Sequence, residues 1–233
     1  MPKRFVCRVV AIASSLALLG ASTQSTRDLT SAQAEDVHSR LYGGTRAGAI
    51  DLKLAGTSGD VYLDPPVHVD AKHPRRTAAD FWGMLDFACF NQLVATGRAI
   101  SGTTHITADR GFLYTDWTIV LDEVVRATAK PRPISGSAVT LVWLGGELQV
   151  NVDATTRLIH AVDPDRVTLH AGGQYLLIVG AVPQTGAYSG GQAFELLGNQ
   201  VVAGTQADPH WTVDTSTTVQ LVRDAVALCH DGG

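Results

Sequence analysis

Short segments in which apolar and polar residues alternate dominate the chain from residue 91 to residue 204. The stretch GFLYTDWTIVLDEVV, residues 111–125, is a clear example. Successive side chains of a β-strand point to opposite faces, so this pattern predicts a strand with one buried and one solvated face. The residues expected inside are Leu113, Thr115, Trp117, Ile119 and Leu121. Those expected outside are Tyr114, Asp116, Thr118, Val120 and Asp122.

Six further segments are bounded in the same way by Gly, Pro or Asn, and no helical pattern alternates with them. They are residues 92–108, 137–146, 147–153, 157–163, 172–182 and 192–204. This spacing favours an antiparallel barrel or sandwich over a βαβ sheet. The segment QYLLIV is apolar on both faces, which predicts a strand that is packed on two sides. The last segment is expected to form a hairpin that turns at Gly198–Asn199.

Helical patterns flank these strands. An N-terminal helix is predicted from a cap at Thr30 or Ser31 to a stop at Gly43, although its apolar content is thin. A second helix is predicted after Thr77. The segment STTVQLVRDAVALC, capped by Thr215 or Ser216, predicts a C-terminal helix that lies on the sheet. Its apolar stripe consists of Val219, Val222, Val226 and Cys229.

The first residues have the three parts of a secretory signal peptide. The basic start MPKRFVCR precedes an uncharged run, VVAIASSLALL, and then the small residues GASTQS. The run is shorter than the roughly 20 apolar residues that a membrane-spanning helix requires, so a retained anchor is the weaker alternative. We therefore expect residues 1–24 to be removed on export, residues 25–76 to form an arm, and residues 77–233 to form the main domain.

Removal of Lys3, Arg4 and Arg8 with the leader changes the chain from 18 cations against 22 acids to 15 against 22, a net charge of −7. Binding to a phosphate backbone requires a clustered positive surface. The densest basic stretch is KHPRR, residues 72–76, which is better interpreted as a solvated connector. We expect no nucleic-acid partner, and no membrane association after cleavage.

The positions of the cysteines allow a disulfide to be predicted. Cys7 lies in the leader, so the trimmed chain keeps Cys89 and Cys229. Two cysteines in an oxidising compartment favour a disulfide, and closing so long a loop would stabilise the fold by up to about 5 kcal/mol. The alternative is two separate buried thiols.

Three stretches carry a resemblance to a known group: GFLYTDWTIVLDEVVRA, LHAGGQYLLIVGAVPQTGAY and AFELLGNQVV. Together with ACFNQLVATGRAI, they resemble uncharacterised secreted bacterial proteins with an OB-like β-barrel, similar in architecture to netrin-like and metalloprotease-inhibitor domains. The resemblance covers residues 88–204 and implies an antiparallel OB-like barrel. With the N-terminal helix and the C-terminal helix predicted above as its flanks, the expected fold is mainly β. Inhibitors of that type act through a free N-terminal cysteine. Cys89 lies about 65 residues after the predicted cleavage site, so inhibition is not carried over.

The candidate catalytic and metal-binding residues form only weak motifs. His68, Asp70 and His73 are the best metal-ligand set, but no third His or Cys follows at a ligand spacing and Pro74 comes next, so a solvated connector is the preferred interpretation. Cys229 and His230 are adjacent on a helix and do not face each other. No Gly-x-Ser-x-Gly motif is present. His105, His160 and His170 lie singly on different strands, which favours surface or rim positions.

These observations favour an exported, non-enzymatic module that binds a protein or a glycan through a barrel face and its loops, without a cofactor. The expected binding face consists of Tyr114, Asp116, Thr118 and Tyr188. The alternative is a secreted hydrolase or metal-dependent enzyme with a site assembled from separated residues, which a fold alone does not exclude.

Overall fold

The computed structural model describes residues 29–42, 61–63, 88–152, 155–162, 166–201 and 219–229. Within these ranges the protein is mainly β with three short helices, as the alternating segments predict. Helix α1 spans Ser31–Tyr42, helix α2 spans Val219–Ala227, and residues 88–90 are also helical. The strands are β1 (Val61–Leu63), β2 (Leu93–Ile106), β3 (Leu113–Ala127), β4 (Ala138–Leu144), β5 (Gly146–Val152), β6 (Thr155–Ala161), β7 (Gln174–Ala181), β8 (Tyr188–Leu197) and β9 (Gln200–Val201).

Six strands form one antiparallel sheet in the order β4-β3-β2-β7-β8-β9. Strands β4 and β8 also pair with each other, in parallel, through Leu141–Tyr188 and Val142–Ser189. This additional pairing bends the sheet into a partly closed ring of β2, β3, β4, β7 and β8, which we call the strand ring. We call the two β4–β8 residue pairs the seam.

The long strands β2 and β3 must bend to follow the strand ring. Their pairing shifts register at three places, one of them between Thr96 and Gly97. A Cβ atom at Gly97 would lie 2.8 Å from the carbonyl oxygen of Val120. A side chain at position 97 would therefore push the two backbones apart at this bend.

A second, three-stranded sheet has the order β1-β6-β5. Its β5–β6 hairpin is antiparallel and lies between β4 and β7 in the chain, and β1 pairs with β6 in parallel. The sequence predicts the hairpin, because the apolar residues of both its strands alternate.

The interior of the strand ring is filled by the inward residues of its strands, including Leu93, Ile119, Leu141, Tyr175 and Leu177. Strand β7 is buried on both faces, as its sequence predicts: Leu176 and Ile178 point outward and pack against α2. The outer cluster includes Val219 and Val222 of α2, so the predicted stripe on this helix is confirmed. The predicted hairpin turn at Gly198–Asn199 is also present.

Two links hold α2 in place besides this packing. Cys229 forms a disulfide with Cys89, with a Cα–Cα distance of 5.4 Å, so the predicted bridge is confirmed. Arg223 donates from Nε to Glu123 Oε1 of β3 at 3.0 Å and from Nη2 to Glu123 Oε2. The helix is therefore attached to β3 and to the residues just before β2.

Helix α1 begins with a reciprocal capping box. The backbone N–H of Gln33 donates to Thr30 Oγ1 at 3.3 Å, and the backbone N–H of Thr30 donates to Gln33 Oε1 at 2.9 Å. Thr30 is therefore the N-cap, and the helix ends at Tyr42, one residue before the predicted stop at Gly43. Helix α1 packs on the outside of β3 and β4, where Val37 and Tyr42 contact a cluster that contains Tyr114 and Val142.

The prediction that the outward face of β3 is solvated is wrong for the first residues of the strand. Tyr114 is fully buried because α1 covers it, whereas Thr118 and Asp122 farther along the strand are exposed as predicted. Trp117, expected inside, is only partly buried. Period-two alternation places side chains on a face correctly, but it does not show which part of that face another element covers.

Candidate functional site

An open groove of about 660 Å³ runs between α1 and the connection from β2 to β3. Glu35, Asp36 and Ser39 of α1 line one side, and Thr107 and Arg110 line the other. We call this feature the groove, and residues 107–112 the 107–112 turn. Its lining combines apolar side chains with both signs of charge, and Asp36 is itself paired with Arg40 at 2.9 Å.

The 107–112 turn is held by its own side chains. Asp109 Oδ1 lies 2.7 Å from Thr107 Oγ1 and accepts from the backbone N–H of Gly111 at 2.9 Å. The backbone N–H of Phe112 donates to Thr107 Oγ1 at 3.0 Å. Arg110 adopts φ 56°, a left-handed conformation that is uncommon for arginine. The turn therefore has a well-held backbone, and the exposed side chain of Arg110 lies beside the groove.

A cluster of polar residues lies beneath α1, beside the groove. His38 is 4% exposed, and its Nδ1 lies 3.1 Å from Asp116 Oδ2 of β3. The carboxylate can only accept, so His38 donates from Nδ1. His105 of β2 lies between two acids, with Nδ1 3.4 Å from Glu35 Oε1 and Nε2 3.8 Å from Asp116 Oδ2. The cluster thus joins α1, β2 and β3.

Tyr114 completes this cluster. Its aromatic ring stacks on that of His105 with centroids 5.1 Å apart, and its hydroxyl donates to the backbone carbonyl of Glu35 at 3.4 Å. Burial, followed by the negative charges of Asp116 and Glu35, raises the pKa of Tyr114 above its usual range. The hydroxyl therefore stays protonated and serves as a hydrogen-bond donor to α1.

The His38–Asp116 pair has the orientation of a catalytic histidine that is held by a carboxylate. In such a site the other ring nitrogen, Nε2, must reach a nucleophile or a substrate. His38 Nε2 is instead buried and has no hydrogen-bond partner among the described residues. In this arrangement the pair joins α1 to β3.

Three residues of the expected binding face, Tyr114, Asp116 and Thr118, alternate along β3, and the fourth, Tyr188, begins β8. Asp116 lies under α1 with its side chain 22% exposed, and Thr118 is exposed two residues farther along β3. Tyr114 is 0% and Tyr188 is 4% exposed, so the expectation that these tyrosines are accessible is wrong. Tyr188 points into the strand ring because it begins β8 and pairs with Leu141 at the seam.

The three single histidines have different environments. His170 is largely exposed, as expected, and its Nδ1 forms a hydrogen bond of 3.0 Å with the hydroxyl of Tyr175. His160 pairs with Glu147 across the β5–β6 hairpin at 2.9 Å. His105 is not isolated, which corrects the interpretation of it as a single rim residue. Strand pairing and α1 bring it to Tyr114 and Glu35.

The predicted metal candidates His68, Asp70 and His73 lie outside the described residues. Within the described ranges, no group of three His, Cys, Asp or Glu side chains is placed to hold a metal ion. His230 also lies outside the described residues, and Cys229 is bonded to Cys89. No helix in the described part of the chain is long and apolar enough to cross a bilayer.

Three residues of this region were missed from the sequence: His38, Tyr42 and Arg110. His38 and Tyr42 are four positions apart, so they share one side of α1, and the apolar Val37 is next to His38 in the sequence. That spacing is a signal for the docking side of the helix. Nothing local identifies Asp116 as the partner of His38, because 78 positions separate them.

Comparison with protein-family models gives no match to the chain, and comparison with curated proteins gives none either.

Proposed function

We propose that this protein is an exported, non-enzymatic binding module with an OB-like barrel, and that it holds a protein segment or a glycan in the groove between α1 and the 107–112 turn. The observation that carries the proposal is the groove itself, which Arg110 lines opposite Glu35 and Asp36.

The strand order supports the OB-like part of this proposal. An OB-fold is a partly open, five-stranded Greek-key barrel that binds its ligands with strands 2 and 3 and with the loops between strands 1 and 2 and between strands 4 and 5. Here the strand ring has the order β2-β3-β4-β8-β7, with β4–β8 as its parallel pair. By this correspondence the 107–112 turn is the first of those two loops, and residues 182–187 are the second.

The position of α1 then favours the groove over the open sheet face. Helix α1 lies on β3 and β4 and contacts Val182 and Ala187, so it covers the face that an OB-fold would use. The groove is the accessible surface that remains beside the 107–112 turn. Its mixed lining of apolar and charged side chains suits a glycan or a peptide, which present apolar faces together with hydroxyl and amide groups.

The disulfide and the charge bear on export and on the class of partner. A disulfide between Cys89 and Cys229 is compatible with an oxidising compartment outside the cytosol. The predicted trimmed chain has a net charge of −7, and the groove carries two carboxylates beside its arginine. This balance disfavours nucleic acid as the ligand.

The proposal is tested by replacing Arg110. The trimmed wild-type protein, Arg110→Ala and the control Arg98→Ala, an exposed arginine of β2 away from the groove, are applied to a glycan array and to pull-downs from culture medium. We expect Arg110→Ala to bind the ligand about tenfold or more weakly than wild type, because a hydrogen bond to a charged group is lost. We expect Arg98→Ala to bind like wild type.

Equal binding by both variants would place the ligand elsewhere. The His38–Asp116 pair favours a second candidate, a secreted hydrolase or metal-dependent enzyme, if displacement of α1 exposes His38 Nε2. Stoichiometric zinc in the purified wild-type protein that is lost in a separate His68→Ala variant would support the metal-dependent form of that candidate and contradict the binding module.

A further inference from the structure

The seam is the weakest closure of the strand ring. Strands β2 and β3 pair along their whole length, whereas β4 and β8 meet through only two residue pairs, Leu141–Tyr188 and Val142–Ser189. Directly after Ser189, Gly190 and Gly191 adopt φ of 65° and 66° and turn β8 away from β4. A Cβ atom at Gly191 would lie 2.0 Å from the carbonyl oxygen of Ile178, so only glycine permits this turn.

Tyr42 of α1 bridges the last pair of the seam. Its hydroxyl donates to the backbone carbonyl of Val142 in β4 at 3.1 Å and lies 2.7 Å from Ser189 Oγ in β8. A phenol has a single proton, which is directed to Val142, so Ser189 is the donor of the second bond. Val142 and Ser189 are register partners, and one hydroxyl of α1 therefore joins the two strands where their pairing ends.

The bridge depends on the docking of α1 as a unit. A helix of 12 residues is marginal in water without tertiary contacts. The other attachments of α1 are largely polar: His38 to Asp116, the backbone carbonyl of Glu35 to Tyr114, and the backbone carbonyl of Ser39, which accepts from Ala108 N–H at 2.9 Å. If these attachments are lost, the hydroxyl of Tyr42 leaves the seam together with the helix.

We propose that α1 holds the strand ring closed: the Tyr42 hydroxyl keeps the β4–β8 seam paired, and release of α1 from the strands opens the seam. Docking of the helix and closure of the ring are then one equilibrium. Opening exposes backbone N–H and C=O groups along the edges of β4 and β8. Free strand edges of this kind accept an extended peptide segment as an added strand. This proposal does not depend on a ligand in the groove.

The test measures amide hydrogen exchange in the full trimmed protein. We expect Tyr42→Phe, which keeps the aromatic ring and removes the bridging hydroxyl, to accelerate exchange at residues 141–143 and 188–189 about three- to tenfold. Exchange in the paired centres of β2 and β3 should not change. The control is Tyr175→Phe, which removes a buried tyrosine hydroxyl that is bonded to His170 and lies away from the seam.

A second variant tests the bridge from the other strand. Ser189→Ala should accelerate exchange at the same residues, and in the Tyr42→Phe background it should add nothing, because its partner is already absent. The proposal is overturned if Tyr42→Phe leaves seam exchange at the wild-type rate, or accelerates β2 and β3 equally. Equal acceleration of the seam by Tyr175→Phe, or additive effects of the two seam substitutions, would overturn it as well.

Discussion

The His38–Asp116 hydrogen bond joins a helix and a strand whose residues are 78 positions apart. Asp116 stands on the outward side of β3, where sequence alternation predicts contact with water, and it is only partly exposed because α1 lies over it. The bond compensates for the burial of two polar groups, since neither is then left without a partner at these atoms. This hydrogen bond is one of several that hold α1 on the strands.

Replacement of Asp116 measures this contribution. Asp116→Ala leaves His38 Nδ1 buried without its acceptor, so we expect the free energy of unfolding to fall by about 1–3 kcal/mol. The control is Asp122→Ala on the same strand, where the side chain is exposed and meets Gln174 at 3.4 Å, and where we expect a change within about 0.5 kcal/mol. Urea unfolding followed by circular dichroism checks both, and similar losses for the two variants would contradict the role given to His38.

The two helices are attached to the strands by different means. Helix α2 presents an apolar stripe to Leu176 and Ile178, which is why its position could be predicted from the 3-4 spacing of its valines. Helix α1 has few apolar residues and docks through hydrogen bonds to particular atoms of β3, β4 and β8. Spacing reveals the first kind of attachment, and only tertiary structure reveals the second.

The Arg223–Glu123 pair at α2 gives a prediction for pH. The hydrogen bonds from Arg223, reinforced by its charge and partly opposed by burial, lower the pKa of Glu123. A carboxyl with a lowered folded pKa stabilises the protein above its unfolded pKa, about 4.3, and loses that contribution as the pH falls through the folded value. Because both side chains are partly exposed, we expect Arg223→Ala to cost only about 0.3–1 kcal/mol near pH 7.

The difference between wild type and Arg223→Ala should therefore be largest near neutral pH, should begin to decrease near the unfolded pKa of about 4.3, and should disappear as the pH falls through the lowered folded pKa of Glu123. Glu123→Gln serves as the matched control, since without the titrating group the pH dependence assigned to this pair must be absent. Chemical denaturation of the three proteins at several pH values measures the effect. A wild-type advantage that persists unchanged into acid would show that Arg223 acts by packing alone.

At the scale of the whole molecule, the sequence predicted the strands and helices better than it predicted their assembly. The alternation in β3 and the two-sided apolar run in β7 are local patterns, and both strands form where these patterns lie. The β4–β8 seam is a contact between strands more than 40 positions apart that uses two residue pairs, and no local pattern encodes it. The cover that α1 places over Tyr114 was missed for the same reason.

The Cys89–Cys229 bridge is a long-range contact that the sequence did predict, because the predicted leader implies an oxidising compartment and leaves two cysteines to pair there. It ties the end of α2 to the entry of β2 across a separation of 140 residues. We expect the trimmed chain to titrate with about zero free thiols in denaturant without reductant. Reduction should lower the free energy of unfolding by about 2–5 kcal/mol, because the unfolded chain gains the freedom that the bridge removes.

The Cys89→Ser/Cys229→Ser variant should have the unfolding free energy of the reduced wild type and should not respond to reductant. Since α2 keeps its apolar stripe and the Arg223–Glu123 pair without the bridge, the variant should still show wild-type circular dichroism. Two free thiols in the oxidised trimmed chain would contradict the bridge. Loss of the β-sheet signal in the variant would instead show that packing of α2 requires the covalent link, and that the strand ring does not form without it.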